Sequence, residues 1–296
     1  KRRKEGMQDI ITKDQLQKRL HGGFSWVCMA SYFEGSETWE QMQEMIIALH
    51  EEIALCKDAL LVKQKADLMA DVPLHAICTV EGMCGIKEDV TERIDWLYDH
   101  DIKIASLAWN DENALATGVK GNPNRGLSEL GIQAVKRMHS HRMIVDVSHA
   151  NEKTFWDILA HCEGGVMATH SNARALSDHP RNLKDEQLIA LAKQGGMVGV
   201  VCCGAFVHSD PLKKDIAHMV EHMRYLKDLI GIEHIALGLD FMDDYDGAMG
   251  TMLTDLNEPS KAQRIIAEMR NQGFDETQIR MIAYENALRY LGSYLS

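Results

Sequence analysis

The chain has 296 residues, of which 45% are hydrophobic, and this length fits one α/β barrel of about 250 residues. Its net charge of −12 argues against nucleic acid and anionic membrane surfaces as partners, because both repel an acidic protein. No stretch approaches the ~20 apolar residues that a membrane-spanning helix needs, and no signal peptide is visible.

The seven cysteines are odd in number, and most lie in apolar, strand-like runs, such as Cys28, Cys78, Cys202 and Cys203. This distribution is typical of buried, reduced thiols rather than of a disulfide framework, and it predicts a cytoplasmic location. The sequence contains no CxxC motif, which argues against a zinc site built from thiolates.

Short β-rich runs alternate with helical stretches along the chain. Strands are predicted over residues 24–30, 74–80, 102–108, 143–148, 165–169, 197–203 and 234–239. Apolar residues recur at spacings of three and four, which predicts helices over residues 38–60, 128–140, 152–162, 184–194, 215–231, 260–273 and 275–292. Many strands are apolar throughout, as parallel strands buried on both faces are. The pattern predicts an α/β fold, a (β/α)8 TIM barrel, in a single domain over residues 1–296.

A closed barrel of this kind has eight strands, whereas the sequence shows seven. Residues 1–20 are polar and helix-like, so they do not supply the first strand. We therefore expect the first strand to lie upstream of Lys1.

Residues of the types that bind metals follow four of the strands directly: Glu81, His149, His170 and Asp240. Each residue alone has an ordinary structural explanation, such as a helix cap or a hydrogen-bonding partner. Because active sites of α/β barrels form at the carboxyl ends of the strands, the recurrence at four strand ends favours a metal site. Imidazoles and carboxylates suit zinc or a similar divalent ion.

Asp240 also lies close in sequence to other acidic residues, namely Asp243, Asp244 and Asp246. A solvated acidic loop is therefore an alternative explanation for this segment.

Several motifs together resemble the membrane (renal) dipeptidase family. They are DVSHANEKTFWDIL, THSNARALSDHPRNL and HIALGLDF, with TVEG before them and YENALRYL at the end. The resemblance runs from about residue 12 to residue 292, in the order that the family shows. It implies a zinc-dependent dipeptidase on an amidohydrolase-like barrel, which holds two zinc ions and hydrolyses the peptide bond of dipeptides with a metal-activated water.

The resemblance also implies a role for each matched residue. Glu81 would bridge the two metals, and His149 and His170 would bind the second one. Asp240 would contact metal and carry the proton during catalysis. Arg181 would bind the substrate carboxylate, a task for which a bidentate guanidinium is suited.

Two departures from the family pattern stand out. The family has an H-x-D motif on its first strand that binds the first metal, and no such motif precedes residue 24. We therefore expect this chain to hold one zinc ion or none. Trp109 stands where the family often has a histidine that stabilises the transition state, so we assign Trp109 to substrate binding. Asn110 or Asn113 is the candidate for the missing role.

Two alternatives to a dipeptidase stay open. The same barrel chemistry acts on other small amides and on lactones, and a barrel that has lost catalysis would only bind a ligand. The expected partner is a small dipeptide substrate, with no nucleic acid and no membrane span. The resemblance suggests a homodimer, for which the sequence shows no interface pattern.

Overall fold

The computed structural model describes residues 6–242 and 251–295. Within these residues, eight β-strands and eleven α-helices follow one another along the chain. The strands are β1 (Trp26–Tyr32), β2 (Ala59–Leu61), β3 (Leu74–Glu81), β4 (Ile104–Ser106), β5 (Ile144–Asp146), β6 (Val166–Ala168), β7 (Met197–Val200) and β8 (Ile235–Leu237).

The α-helices are α1 (Gln17–His21), α2 (Trp39–Leu55), α3 (Val90–Asp99), α4 (Glu129–Ser140), α5 (Glu152–His161), α6 (Asp185–Lys193), α7 (Gly204–Val207), α8 (Ile216–Ile230), α9 (Gln263–Asn271), α10 (Glu276–Arg280) and α11 (Asn286–Tyr294). A π-helical segment precedes α1 and another precedes α11, over Ile11–Leu16 and Met281–Glu285.

The chain divides into two compact units. Among the described residues, the first unit comprises those up to Val145, His149–His161, and Tyr294 with Leu295. The second unit comprises Asp146–Ser148 and the described residues from Cys162 to Ser293.

The sheet of the first unit is parallel and has β3 at its centre. β1 pairs with β3 along the full length of β1, from Trp26 opposite His75 to Tyr32 opposite Glu81. β4 pairs with the end of β3, and β2 pairs with its start. Seven of the eight residues of β3 are buried, and only Glu81 is partly exposed. The apolar strand thus ends in one acidic residue that reaches partly into solvent.

The second unit contains the parallel strands β6, β7 and β8, in that order. Gly199 in β7 and Gly238 after β8 both lie against the carbonyl oxygen of Thr169. A Cβ atom at these glycines would stand 2.0 Å and 1.8 Å from that oxygen. The absence of a side chain at both positions lets the backbone of β7 and β8 approach the residue before His170 closely.

Local capping signals set the start of the longer helices. Thr38 and Gln41 form a reciprocal capping box at the start of α2. The carboxylate of Asp215 accepts the backbone N–H of His218 at the start of α8, and Gly231, with φ +90°, follows the last residue of that helix.

All seven predicted strands are present with shifted bounds, and strands alternate with helices, which confirms the α/β class. Closure into a (β/α)8 barrel, a single domain over residues 1–296 and a first strand before Lys1 stay predictions.

Several elements differ from the prediction. The short helix α7 was not predicted, and the predicted helix over residues 275–292 is divided into α10 and α11 by a π-helical segment. The predicted helix over residues 38–60 ends at Leu55, because the chain becomes extended at Cys56 and Ala59–Leu61 pairs with β3 as β2. Helix α3 was not predicted. Its buried face consists of only three apolar residues among charged ones, Val90, Ile94 and Leu97.

None of the described helices has the length and apolar character needed to cross a membrane. All seven cysteines lie in the described part of the chain, and no disulfide joins them. Six are buried as predicted, but Cys28 is exposed. The reason is that β1, unlike β3, buries only Ser31 among its seven residues.

Candidate metal centre and active site

Glu81 occupies a well-defined position at the end of β3. The next residue, Gly82, has φ +84°, and its N–H donates to the Ser106 hydroxyl over 2.9 Å. A Cβ at Gly82 would stand 2.9 Å from the carbonyl oxygen of Phe33, so this turn requires glycine. The turn therefore fixes the backbone after Glu81 between Phe33, which follows β1, and Ser106 at the end of β4.

His149 lies against Glu81 within the first unit. Its Nε2 is 2.5 Å from Glu81 Oε1, and its Nδ1 is 3.0 Å from Asn110 Oδ1. An amide oxygen only accepts hydrogen bonds, so Nδ1 carries a proton and donates it to Asn110. Without a metal ion, the short contact of Nε2 with the Glu81 oxygen needs a shared proton, because an ionised carboxylate only accepts; a bound metal ion would take the place of that proton. A carboxylate oxygen and an imidazole Nε2 are both ligands that zinc binds, so the pair has the donor types of a metal site.

Trp109 and Asn113 lie in the loop that follows β4. The ring centroid of Trp109 is 5.8 Å from that of His149 and 6.1 Å from that of Tyr32. Trp109 thus places an aromatic surface beside the Glu81–His149 pair. Asn113 instead holds the loop together, since its Oδ1 accepts the backbone N–H groups of Leu115 and Ala116.

His170 and Arg181 contact each other within the second unit, and both are buried. Arg181 Nη2 donates to His170 Nε2 over 2.8 Å, and Arg181 Nη1 donates to the Ser148 carbonyl oxygen. The guanidinium also lies over the ring of Phe206, with its carbon 5.4 Å from the ring centroid. Arg181 is therefore held in place beside a predicted metal ligand.

Asp240 follows β8 and adopts φ +54°, a left-handed conformation in which aspartate is one of the few non-glycine residues commonly found. It lies near the thiols of Cys202 and Cys203. Burial raises the pKa of Cys202 well above its usual value, and the negative charge of Asp240 raises it further. The acidic neighbours Asp243, Asp244 and Asp246 lie outside the described residues.

The structure thus places the predicted residues in two groups. The first unit brings together Glu81, His149 and Trp109, and the second contains His170, Arg181 and Asp240.

Sequence reasoning missed the partners of the two imidazoles. It named Asn110 only as a candidate, beside Asn113, for stabilising the transition state, and it gave no role to Asp146 or Thr169. The sequence did carry a signal for the last two, because they belong to the segments DVSH and THS that surround the histidines.

The sequence profile of the membrane dipeptidase family, peptidase family M19, matches residues 9–294 and so runs through both units. The chain belongs to this family. Membership places it among the metallo-dipeptidase hydrolases, and the Glu81–His149 pair has the ligand types that such an enzyme needs.

Two relatives illustrate the family. An uncharacterized Klebsiella pneumoniae protein encoded in the 5′ region of pqqA is 31% identical over 265 residues, which are 86% of this chain and 94% of that protein. An uncharacterized dipeptidase of Schizosaccharomyces pombe is 33% identical over 195 residues, which are 65% of this chain and 46% of that protein.

Solved structures share the fold. An amidohydrolase from Pseudomonas aeruginosa superimposes with a TM-score of 0.84 at 20% identity, covering 95% of this chain and 92% of that one. A metallopeptidase from Rhodobacter sphaeroides, bound to a phosphinate mimic of the dipeptide L-Ala-D-Ala, superimposes with a TM-score of 0.84 at 22% identity. This second superposition covers 96% of this chain and 92% of that one.

Proposed function

We propose that this membrane dipeptidase family member hydrolyses dipeptides, with Glu81, His149 and His170 as ligands of a zinc ion. The contact that carries the proposal is the 2.5 Å approach of His149 Nε2 to Glu81 Oε1, with His149 Nδ1 occupied by Asn110. One carboxylate and two imidazoles make the three-ligand set of a catalytic zinc site that keeps a further position for water or substrate. Family membership supports the same chemistry.

A bound zinc ion would supply an acidified water molecule, with a pKa towards ~7, and would polarise the substrate carbonyl. We assign the proton transfer to Asp240. Its carboxylate accepts a proton from the attacking water as the new C–O bond forms. It then donates that proton to the amine nitrogen as the C–N bond breaks. The carboxylate is regenerated, and the products are two amino acids.

Arg181 and Trp109 are the proposed substrate-binding residues. The Arg181 guanidinium would bind the terminal carboxylate of the dipeptide, since its two nitrogens match the two carboxylate oxygens. The contact with His170 places this positive charge next to a proposed ligand. The ring of Trp109, beside His149, would pack against the body of the dipeptide.

The test is a rate comparison on one zinc-loaded preparation. The substrates are L-Ala-D-Ala, an L,L-dipeptide, an N-acetyl amino acid and a lactone. We expect kcat/KM for the better dipeptide to exceed that for the other two classes by at least about tenfold. Chelation should abolish the activity, and added zinc should restore it.

Metal analysis of the same preparation should find about one tightly held zinc ion per chain, because the three proposed ligands form one site. A higher kcat/KM for the lactone or the N-acetyl amino acid than for either dipeptide would contradict the proposed dipeptidase activity and indicate that substrate class instead. If the protein binds one zinc ion per chain but turns over none of these substrates, the result would support the alternative of a barrel that has lost catalysis and only binds a ligand.

A further inference from the structure

The carboxylate of Asp146 is buried in the second unit and accepts four hydrogen bonds. Oδ1 accepts from the Ser148 backbone N–H at 2.9 Å, the Ser148 hydroxyl at 2.6 Å and the Thr169 backbone N–H at 3.0 Å. Oδ2 accepts from the Thr169 hydroxyl at 2.6 Å. These bonds link the end of β5 to the end of β6, directly beside His170.

Arg181, His170, Thr169 and Asp146 form a chain of hydrogen bonds. The two end groups decide the direction of each bond, because one only donates and the other only accepts. The Arg181 guanidinium only donates, so His170 Nε2, at 2.8 Å, must accept. The proton of the neutral ring is then on Nδ1, and it is donated to Thr169 Oγ1 over 2.8 Å. The Thr169 hydroxyl proton in turn goes to Asp146, which only accepts when ionised.

We propose that Asp146, acting through the Thr169 hydroxyl, is a positioning residue that selects the Nδ1–H tautomer of His170. This tautomer keeps the lone pair on Nε2, where a metal ion would replace the hydrogen bond from Arg181. Ser148 adds a second constraint, because its Oγ accepts the backbone N–H of His170 over 3.0 Å. The consequence for metal binding rests on the proposed role of His170 as a ligand.

The substitution Asp146→Asn should reverse the chain of hydrogen bonds. Asparagine keeps the shape of the side chain but places an NH2 group where Oδ2 accepts the Thr169 proton. That NH2 group donates to Thr169 Oγ1, and the hydroxyl proton turns towards His170 Nδ1. The ring proton then moves to Nε2, and the hydrogen bond from Arg181 to this nitrogen is lost, because two donors would face each other.

Nitrogen NMR shifts of His170 in the metal-free protein measure this tautomer directly. We expect Nδ1–H in the native protein and a shift towards Nε2–H in Asp146→Asn. Zinc affinity, titrated on the same samples, should fall by about 10–100-fold, the usual effect of losing a partner that orients a metal-binding histidine. The assay does not depend on substrate turnover.

A threonine series keeps the test decisive if Asp146→Asn does not fold. Thr169→Val removes the linking hydroxyl and should give the same two effects, and Thr169→Ser should restore both. The matched control is Thr154→Val, which removes a buried hydroxyl that donates to the Thr117 carbonyl oxygen over 2.9 Å. This control should lower stability without changing the His170 tautomer.

An unchanged Nδ1–H tautomer in both Asp146→Asn and Thr169→Val would overturn the inference. A changed tautomer with unchanged zinc affinity would support the positioning role and contradict His170 as a ligand in the proposed function. The two ideas can therefore fail separately.

Discussion

At the scale of single residues, the two imidazoles of the candidate site are oriented in different ways. His149 donates its Nδ1–H directly to the amide oxygen of Asn110. His170 donates its Nδ1–H to a hydroxyl that is itself bonded to a buried carboxylate. Both arrangements occupy Nδ1 and so leave Nε2 as the nitrogen that a metal ion would bind.

The first residue-scale prediction concerns Asp240. Asp240→Asn should lower kcat by about 10²–10⁴-fold, because an amide cannot accept the proton of water as a carboxylate does. Zinc content and Tm should stay near those of the parent, since asparagine is nearly isosteric with aspartate. Asp243→Asn and Asp244→Asn, at positions outside the described residues, serve as comparison variants. Near-normal kcat in Asp240→Asn with a loss at a neighbour would move the role to that neighbour.

The second residue-scale prediction concerns Arg181. Arg181→Lys should reduce kcat/KM for a dipeptide by roughly 10–100-fold, since a charge-assisted hydrogen bond contributes about 1.5–3 kcal/mol and lysine lacks the planar fork. An amide without a terminal carboxylate should lose less. The matched control is Arg174→Lys, because Arg174 pairs with the exposed carboxylate of Asp178 at 2.7 Å. Equal losses on both substrates would show that Arg181 is structural.

At the scale of elements, glycines allow the strands beside His170 to pack closely. Gly199 and Gly238 leave room for the carbonyl oxygen of Thr169, whose side chain is the partner of His170 Nδ1. The packing of β7 and β8 therefore constrains the same residue that the buried Asp146 carboxylate binds.

Gly238→Ala should consequently destabilise the protein by about 1–3 kcal/mol or more, because backbone must move to make room for the new methyl group. The control is Gly204→Ala. There the nearest atoms are Cδ and Cβ of Lys214 at 3.1 and 3.3 Å and the Met252 carbonyl oxygen at 3.4 Å. These atoms need to give by only a few tenths of an ångström, so we expect a change below about 1 kcal/mol. Urea unfolding measures both variants. Equal stabilities would refute the steric argument.

At the scale of the whole molecule, stability should depend on pH through a buried histidine. His222 Nδ1 accepts the Ala173 backbone N–H at 3.2 Å, and Nε2–H donates to the Val207 carbonyl oxygen at 2.9 Å. The bond from Ala173 requires an unprotonated Nδ1 and therefore the neutral ring, whereas Nε2–H donates to Val207 in either protonation state. The pKa of His222 is lowered from 6.5 to about 4, chiefly by burial; the bond to Val207 opposes this shift, and the nearby His208 and His218 add to it.

Because the unfolded chain binds the proton more tightly, the stabilisation is fully present above pH 6.5 and is lost as pH falls towards about 4. The pKa difference corresponds to about 3 kcal/mol. The free energy of unfolding, measured between about pH 7.5 and 4.5, should fall less steeply in His222→Gln than in the parent. His161→Gln, at an exposed position, should keep the parent slope. Identical slopes in all three proteins would contradict the prediction.

Much of the fold could be predicted from local sequence patterns. The seven apolar runs predicted seven of the eight strands. For strands such as β3 the reason is that burial on both faces demands continuous apolar residues, whereas β1 is apolar although it buries only Ser31. β2 could not be predicted, since Ala59–Leu61 becomes a strand only by pairing with Leu74–Ala76. Helix α3 was missed because its buried face contains only three apolar residues, too few to produce a clear helical pattern.

The sequence alone determined which residues follow the strands, and thus the candidates Glu81, His149, His170 and Asp240, because strand ends are local features. Only the tertiary structure decided what each ring nitrogen contacts. Asn110 lies 39 residues from His149, and Asp146 lies 23 residues from Thr169. Hydrogen bonds between such distant positions form only when the strands pack together, so no periodicity or motif spacing specifies their direction.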